Sequence, residues 1–321
     1  MSRSDRGELM PASTKHQVLA LLEHQRGSYI SGQNLAQTLN LSRNSIWKAI
    51  KELQSEGYAI SATPNKGYCL SKSCDKLSAT GIAAHLAQEH EVHVYPTLES
   101  TNKTAKELAV AGAKHGTLVI TNKQTAGRGR FSRSFHSPAG GVYLSLILSP
   151  AKFQFNTPTL VTAFAAVAVC EAIEQLCDQQ PSIKWVNDIF LGKKKVCGIL
   201  TEAVADFESG QISWIVVGIG VNVRADFPEE LAGIATSLEA NIPRNQLIAE
   251  IVNNLLTPRS EETLLAQYKQ RLNCLGKQVL VNSEYPATAI GLDEAAHLII
   301  RKPCGEIQAL SSGEISIVTL G

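Results

Sequence analysis

The chain has 321 residues, 44% hydrophobic and 18% charged, with a formal net charge of +1, which is typical of a soluble globular protein with two or three domains. Its seven cysteines are odd in number and scattered without a C-x-x-C pair, which argues against a disulfide framework and a zinc site and indicates a reducing compartment. Residues 1–14 lack the apolar segment of a secretion signal, and the longest apolar run, Leu160 to Cys170, is too short to span a membrane, so we expect a cytoplasmic protein.

Positive charge is concentrated at the N-terminal end of the chain. Residues 1–72 hold nine Lys and Arg against five Asp and Glu, whereas the remainder holds 21 against 24. A basic N-terminal part on a mildly acidic body is typical of a protein that contacts nucleic acid at one end. An imbalance of this size also arises by chance, so charge alone does not decide.

Residues 13–72 have the pattern of a winged helix-turn-helix domain. Apolar residues at helical spacing between Lys15 and His24 predict a first helix, and Ser31 and Ser42 are natural N-caps for two further helices joined by a short turn. Two short strands around Pro64 to Gly67 predict a β-hairpin wing. In such a domain the helix that Ser42 begins enters the major groove of DNA.

The predicted DNA-binding residues lie on that helix and at the tip of the wing. They are of the types that contact phosphates and base edges: Ser42, Arg43, Asn44, Ser45, Lys48, Lys51 and Lys66. The alternative is a protein-docking domain with the same elements and a charged helix face that is only solvated. The order of the elements and the basic and amide side chains favour DNA binding.

Residues 75–270 form the predicted central domain, in which strands and helices are mixed. Ser100 or Thr101 is a natural N-cap for a helix over residues 103–113, and this structural role is sufficient to explain their presence. The functional alternative is that these hydroxyls and the helix N-terminus bind a polar ligand.

An arginine-rich loop, Gln124 to Arg130, follows a short strand over residues 116–121. It matches neither a Walker A loop nor a dinucleotide-binding turn. Its glycines allow close approach of the backbone to a ligand, and Arg128, Arg130 and Arg133 suit phosphate or carboxylate. We therefore expect the loop to bind an anion, to be mobile when empty and to become ordered with ligand. The alternative is an exposed surface loop.

Lys184 lies in an apolar segment, Ile183 to Ile189, where an unpaired ammonium group is costly. Its anionic partner is either an internal Asp or Glu or a phosphate or carboxylate of a substrate. Asn187 and Asp188, at the predicted end of this strand, either orient Mg²⁺ or a ribose or form a turn. Further strands are predicted over residues 196–202 and 214–223.

Residues 271–321 are predicted to form short strands separated by turns, which fits a small β-barrel. This module either packs on the body or takes part in binding.

Five motifs in this order resemble those of biotin–protein ligases: Ser100-Thr101-Asn102, Gln124-Thr125-Ala126-Gly127-Arg128-Gly129-Arg130, Lys184-Trp185-Val186-Asn187-Asp188, Gly198-Ile199-Leu200-Thr201-Glu202 and Gly218-Ile219-Gly220-Val221-Asn222. With the winged helix, the chain resembles the bifunctional bacterial form that also represses the biotin operon. The resemblance implies an α+β fold. Its parts are a winged helix over 13–72, a mixed α/β ligase domain with a largely antiparallel sheet over 75–270, and an SH3-like β-barrel over 271–321.

The resemblance implies a reaction in two steps. Biotin and Mg·ATP give biotinyl-5′-AMP and pyrophosphate, and the biotinyl group is transferred to a lysine of the biotin carboxyl carrier protein of acetyl-CoA carboxylase. The resemblance further implies that operator DNA is a partner, that biotinyl-AMP is the corepressor, and that the ligand promotes a homodimer.

The resemblance also assigns roles to individual residues. The implied biotin-binding residues are Ser100, Thr101, Asn102, Gln124, Arg128, Gly129, Arg130 and Lys184. Lys184, Arg128 and Arg130 are the expected catalytic residues among them. The nucleotide is expected at Arg133, Phe135, Asn187, Asp188 and Asn222, with Mg²⁺ near Asp188. These cations fit the chemistry, because attack of a carboxylate on ATP joins two anions.

The chain departs from the family pattern directly after Arg130. The family continues R-G-R-x-W, whereas this chain has Phe131-Ser132-Arg133-Ser134-Phe135. Arg133 is retained, and Phe131 and Phe135 replace the first arginine and the tryptophan. Phe135 still offers a ring face to cover a ligand, but adenylate affinity and the effect of the ligand on dimerisation are the properties that this change puts in doubt.

Two other functions are consistent with parts of the pattern. One is a DNA-binding regulator whose central domain only senses a ligand. The presence of Lys184 and Gln124, both members of the ligase motifs, argues against it. The other is a ligase whose winged helix no longer binds DNA. A carrier-labelling assay and a DNA-binding assay distinguish these from the bifunctional protein.

Overall fold

Serine side chains begin the first three helices of the computed structural model, which describes residues 13–153, 157–205, 208–238 and 242–318. Ser13, Ser31 and Ser42 each accept a hydrogen bond from a backbone N–H in the first turn of the helix that follows. The helices are α1 (Thr14–His24), α2 (Gly32–Leu39) and α3 (Arg43–Ser55). Asn40 ends α2 in the left-handed conformation that its short polar side chain tolerates. The predicted caps are therefore confirmed.

A two-stranded antiparallel hairpin, β1 (Ile60–Thr63) and β2 (Gly67–Leu70), follows α3. Gly67 has a φ of 105° and lies against the backbone of Ile30, where a side chain would overlap the carbonyl oxygen. The three helices and the hairpin bury one apolar cluster around Leu19, Leu35 and Ile50. A short helix, α4 (Ala79–Ala83), comes next. The predicted winged helix is present.

A seven-stranded sheet is the centre of the next part of the chain. Its strands are β3 (Val92–Tyr95), β4 (Leu118–Thr121), β5 (Val142–Leu148), β6 (Ser182–Lys184), β7 (Asp188–Leu191), β8 (Lys194–Ala205) and β9 (Ile212–Val221). Their order is β3-β4-β5-β9-β8-β7-β6, and only the β3–β4 pair is parallel. The sheet is thus largely antiparallel, as predicted.

Helices cover both faces of this sheet. On one face α5 (Thr101–Val110) packs Ala105 and Ala109 against Val119 and Val216. The other face carries α6 (Pro158–Cys177), whose Thr162 hydroxyl lies 2.8 Å from that of Thr201 on β8. The remaining helices are α7 (Glu229–Ala232), α8 (Arg244–Leu256) and α9 (Glu261–Arg271).

The helix α6 is long and apolar enough to cross a membrane by length and composition alone. However, 72% of its apolar window is buried inside the fold. It begins at Pro158 after Thr157, as the sequence predicts, although the Thr157 side chain makes no capping hydrogen bond. Its apolar character is that of a central core helix.

The segment Ile183 to Ile189 is not one strand, which corrects the prediction. It forms the β6–β7 hairpin, in which Lys184 lies opposite Asp188 in the strand register. The Trp185–Val186 peptide bond in its turn is cis. The Trp185 indole is buried and donates a hydrogen bond to Ala296 O at 3.1 Å. Burial of this side chain outweighs the strand pattern, so the chain turns directly after Lys184.

The C-terminal residues form a second, five-stranded antiparallel sheet. Its strands are β10 (Gln278–Val281), β11 (Tyr285–Leu292), β12 (Leu298–Arg301), β13 (Ile307–Leu310) and β14 (Ile315–Ile317), in the order β13-β12-β11-β10-β14. The predicted fold class, α+β with a C-terminal β-module, is confirmed.

The chain divides into two compact units, Met1–His85 and Leu86–Gly321. The two sheets therefore belong to one unit, and the boundary predicted between residues 270 and 271 falls inside it. The predicted domain limits, 13–72, 75–270 and 271–321, stay predictions.

Candidate functional site

A cleft of about 900 Å³, part of it open to solvent, lies in the second unit. Several segments that are distant in the sequence line it: the start of α5, the arginine-rich loop, the β6–β7 hairpin, and β8 and β9. The cleft has a polar end and a cationic end.

The polar end is built around the N-terminus of α5. Gln124 Oε1 accepts hydrogen bonds from the Thr101 N–H at 2.9 Å and from the Thr101 hydroxyl at 3.3 Å, and Gln124 Nε2 donates to Ser137 Oγ at 2.9 Å. Ser100 is the N-cap residue, but its hydroxyl makes no capping hydrogen bond. Thr101 and Gln124 thus hold each other, while Ser100 lines the cleft and its hydroxyl has no role in capping.

Asn102 is buried and is held by the protein on three sides. Its Nδ2 donates to Glu202 Oε2 at 2.7 Å and to Leu200 O at 3.2 Å, and its Oδ1 accepts from the Ser145 hydroxyl at 2.6 Å. A Cβ on Gly218 would overlap the same Oδ1. Both amide donors of Asn102 are therefore engaged within the fold.

The arginine-rich loop folds back on itself as a short hairpin. The Phe135 N–H donates to Gly127 O at 2.9 Å, and the Gly129 N–H donates to Arg133 O at 2.7 Å. Arg128 and Ser134 form an antiparallel bridge between these bonds. The expectation that a ligand orders this loop stays a prediction.

The tip of this hairpin carries the residues that depart from the family pattern. Phe131 and Ser132 have φ angles of 55° and 58°, a conformation that costs a residue with a side chain about 1–2 kcal/mol. The family pattern has glycine, which adopts this conformation freely, where this chain has Ser132. Phe131 is 64% exposed, and its ring centre lies 5.0 Å from the Arg130 guanidinium carbon. The tip is therefore more strained here than the family sequence would make it.

Arg130 and Lys184 form the cationic end of the cleft. Arg130 donates to Asn187 Oδ1 at 3.2 Å, and Asn187 Nδ2 donates to Ile199 O at 3.0 Å, so the guanidinium is positioned through β8. Burial lowers the pKa of Arg130, although an arginine keeps its charge. Among the residues that the structure describes, Lys184 has no carboxylate partner; its ammonium lies 6.0 Å from the centre of the Phe190 ring. An ion pair of Lys184 with an internal Asp or Glu, the structural alternative, is therefore not seen among the described residues.

The two outer arginines of the loop point to exposed carboxylates. Arg133 makes a two-point ion pair with Glu314, with distances of 2.8 and 2.6 Å. Arg128 lies 3.7 Å from Glu99, whose other oxygen pairs with Lys103 at 2.6 Å. Arg133, Arg130 and Lys184 lower the pKa of Glu314, the hydrogen bond from Arg133 contributing most. Among the residues that line the cleft, Arg and Lys side chains outnumber Asp and Glu side chains, which favours an anionic ligand.

Phe135 lies on a floor made by two glycines that face each other across β8 and β9. A Cβ on Gly220 would be 2.5 Å from Phe135 Cε1, and a Cβ on Gly198 would be 3.0 Å from Cε2. The Lys195 ammonium lies 5.7 Å from the ring centre and pairs with Asp188 at 2.7 Å. The ring therefore covers the floor of the cleft, and only glycine fits beneath it.

The remaining predicted nucleotide residues are placed differently. Asp188 lines the cleft and is paired with Lys195, whereas Asn222 is buried just beyond β9 and is not among the residues that line it. The described residues contain no group of three or more His, Cys, Asp or Glu that could hold a metal ion. The roles of Asn222 and of Mg²⁺ near Asp188 stay predictions.

The sequence gives no role to Lys195, Ser145 and Glu202. In the strand predicted over residues 214–223, Gly218 and Gly220 are expected to mark close backbone approach. Gly198 and Glu202 are singled out only because they belong to the recognised motifs. Their contacts join strands to α5 and to the loop, and no local pattern shows such contacts.

In the first unit, α3 and the wing border a groove. Its floor includes Trp47, which is half exposed, and Thr63. Six of the predicted DNA-binding residues are exposed: Ser42, Arg43, Asn44, Lys48, Lys51 and Lys66. Of these, Arg43, Asn44 and Lys51 line the groove.

Ser42 and Ser45 have a structural role at the start of α3. Ser42 Oγ accepts the Ser45 N–H at 3.0 Å, and the two hydroxyls lie 2.8 Å apart. Their contact with DNA stays a prediction.

Two family models match the chain. Residues 94–222 match the biotin/lipoate A/B protein ligase family, and residues 14–69 match an HTH domain. These ranges contain the cleft-lining part of the second unit up to Asn222 and the helices and wing of the first.

Curated relatives cover most of the chain. The bifunctional ligase/repressor BirA of Bacillus subtilis (strain 168) is 44% identical over 71% of this chain and 72% of its own length. The bifunctional ligase/repressor BirA of Escherichia coli (strain K12) is 30% identical over 94% of this chain and 96% of its own length.

A solved structure resembles the greater part of the chain. The biotin protein ligase from Aquifex aeolicus, in complex with biotin and ATP, has a TM-score of 0.62 and 26% identity, and the match covers 71% of this chain and 98% of that one.

Proposed function

The chain belongs to the biotin protein ligase family, in its bifunctional ligase/repressor form, and we propose that it activates biotin with ATP and transfers it to protein. The observation that carries the proposal is the cleft with a hydroxyl-lined end and a cationic end. Such a cleft suits a ligand with a polar ring at one end and a carboxylate at the other.

The first step would join the biotin carboxylate to the α-phosphorus of ATP, giving biotinyl-5′-AMP and pyrophosphate. Both reactants are anions, so fixed cations must reduce their repulsion and the charge that develops. Lys184 and Arg130, at the cationic end of the cleft, would supply these charges. Arg128 and Gly129 of the arginine-rich hairpin would also contact the ligand. Ser100, Thr101 and Gln124 would bind the polar ring of biotin.

ATP is expected to arrive as its Mg²⁺ complex, as in other phosphoryl-transfer reactions. Both carboxylates that line the described part of the cleft are already paired, Asp188 with Lys195 at 2.7 Å and Glu314 with Arg133 at 2.6 Å. The described residues thus offer no ready-made metal cage, and we assign no step to a protein-bound metal.

In the second step a lysine amine of a carrier protein would attack the mixed anhydride, and AMP would leave. The partner is the biotin carboxyl carrier protein of acetyl-CoA carboxylase. The Phe135 ring lies on the floor of the cleft and the arginine-rich hairpin lines it, and with ligand bound these groups would help to keep water from the reactive intermediate.

The winged helix would make the same chain a repressor of the biotin operon. Exposed Arg43, Lys48 and Lys51 on α3 and Lys66 on the wing form the surface that supports DNA binding. Biotinyl-AMP would be the corepressor and would promote a homodimer on operator DNA. These steps take place in the cytoplasm.

Labelled biotin tests the enzymatic part. With a purified carrier domain and Mg·ATP, we expect covalent label on the carrier and none when ATP is omitted. Absence of label with active carrier and ATP would overturn the ligase function and leave a ligand-sensing regulator.

Gel shifts of the promoter DNA of biotin-synthesis genes test the repressor part. We expect a shift that biotin plus ATP strengthens and salt weakens, and sedimentation should show a larger species under the same conditions. A labelling-competent protein without any shift would be a ligase without operator binding.

A further inference from the structure

Glu202 on β8 joins two residues of α5 through its two carboxylate oxygens. Its Oε2 accepts from Asn102 Nδ2 at 2.7 Å, and its Oε1 pairs with Lys106 Nζ at 2.7 Å. Asn102 and Lys106 are four residues apart and so lie on the same face of the helix. Burial raises the pKa of Glu202, but the hydrogen bonds from Lys106 and Asn102 outweigh burial, so the pKa is lowered and the group is ionised.

The contacts of Asn102 determine how its amide is turned. Two acceptors, Leu200 O and the Glu202 carboxylate, face one end of the amide, and the Ser145 hydroxyl faces the other at 2.6 Å. Only the nitrogen can donate to both acceptors, so the amide has one satisfactory orientation. With both N–H groups in use, Asn102 has no donor left for a ligand, although it lines the cleft.

Asn102 directly follows Ser100 and Thr101, which line the polar end of the cleft. Ser100 and Thr101 occupy the N-cap and first position of α5, and Asn102 ties the next position to β8 and β5. The first turn of the helix is thus fixed at Asn102. This anchor acts together with the hydrogen bonds between Thr101 and Gln124 to hold the backbone that carries the Ser100 and Thr101 hydroxyls.

We propose that Glu202 is a positioning residue for biotin, which acts through Asn102 to hold the Ser100 and Thr101 hydroxyls in place. The proposal rests on the ligase function proposed above. It also reassigns Asn102 from a direct biotin ligand to the residue that fixes the ligand-binding turn. A hydroxyl displaced by an ångström loses most of its hydrogen bond to a ligand, because hydrogen-bond distances have a narrow range.

The test compares two matched variants that each remove one end of the ion pair. Glu202→Met takes away the acceptor of Asn102, whereas Lys106→Met removes the charge partner and leaves the Asn102 contact intact. We expect Glu202→Met to weaken biotin binding about tenfold, the scale of one hydrogen bond to the ligand lost when a hydroxyl is displaced. Lys106→Met should change it less than about twofold. Calorimetry with biotin alone measures both.

Two further measurements separate positioning from a general loss of structure. The KM for ATP at saturating biotin should change less than about twofold in Glu202→Met, and Glu202→Gln, whose amide oxygen can still accept from Asn102, should restore biotin affinity to within about threefold of wild type. If Glu202→Met does not fold by its melting curve, Asn102→Asp tests the same contact from the other side and should show the same loss.

Equal biotin affinity of the Glu202→Met and Lys106→Met proteins would overturn the proposal. So would an equal loss in Glu202→Gln and Glu202→Met, or an equal rise in the KM values for both substrates. Failure of the proposed ligase function would give a different result. The wild-type protein would then leave the carrier unlabelled, whatever the biotin affinities of these variants.

Discussion

The two units of the chain present positive charge in different ways. On α3 the side chains of Arg43, Lys48 and Lys51 are exposed and, within the described ranges, take part in no ion pair. In the cleft, Arg130 is half-buried and hydrogen-bonded to Asn187, and Lys184 projects from a strand. Exposed cations give affinity that is general and sensitive to salt, whereas cations fixed beforehand in a cleft stabilise one arrangement of charge.

This comparison predicts that the two charged regions can be disabled separately. A substitution in the cleft should abolish chemistry and leave attraction to DNA, and a substitution on α3 should do the reverse. We expect larger effects from substitutions in the cleft than on α3. Water and salt screen an exposed charge, whereas they screen a charge fixed near the reacting groups much less.

The largest effect is expected for Lys184→Met. Removal of this ammonium should slow biotin-dependent exchange of pyrophosphate into ATP by about 100-fold or more, the scale found when one preorganised donor to a transition-state charge is lost. Binding to a non-specific DNA duplex should stay unchanged. The control is Lys193→Met in the exposed β7–β8 turn. Exchange within twofold of wild type would remove Lys184 from the site.

The next effect concerns the glycine floor under Phe135. In Gly220→Ala the new methyl group would be 2.5 Å from Phe135 Cε1, so the ring must move off the floor. Overpacking of this kind costs about 1–3 kcal/mol, and we expect the adenylate to dissociate roughly tenfold faster in a chase experiment. Gly233→Ala is the control, because nothing lies within 4 Å of a Cβ there. The same dissociation rate in both variants would contradict this role of the floor.

Features that depend on residues close together in the sequence could be predicted, and contacts between residues far apart in the sequence could not. The caps at Ser31 and Ser42, the wing, and the apolar helix after Thr157 are local patterns, and all were predicted. The motifs also led to the cleft, since Ser100, Gln124 and Lys184 do lie together there.

The contacts that arrange the cleft were not predicted, because they join residues far apart in the chain. Asn102 and Glu202 are 100 residues apart, and Arg133 and Glu314 are 181 apart. A turn in this segment was predicted only as an alternative, at Asn187 and Asp188. The turn begins earlier, at Trp185, whose buried indole makes a distant hydrogen bond to Ala296 O between β11 and β12.

A smaller effect is expected on α3. Lys48→Ala and Lys51→Ala should each lower the slope of log affinity against log salt concentration by about one, if each side chain contacts one phosphate. Affinity should fall for all DNA sequences alike, and carrier labelling should stay at the wild-type rate. Fluorescence anisotropy of a labelled duplex over a salt series measures the slopes. An unchanged slope in both variants would favour the protein-docking alternative for this domain.

The smallest effect is expected for the ion pair between Arg133 and Glu314, because both side chains are well exposed and water competes with them. Glu314→Gln should shift the melting temperature at neutral pH no more than Glu284→Gln, an exposed control. The hydrogen bond from Arg133 lowers the pKa of Glu314 in the folded chain, so any stabilisation is present above the unfolded pKa and is lost as the pH falls through the folded value. Because the pair is exposed, we expect the two variants to melt within about a degree of each other at neutral pH, and any small difference should disappear in acid. A shift of several degrees that appears at neutral pH and vanishes in acid would show that the hairpin and the C-terminal sheet are held together more tightly than exposed charges allow.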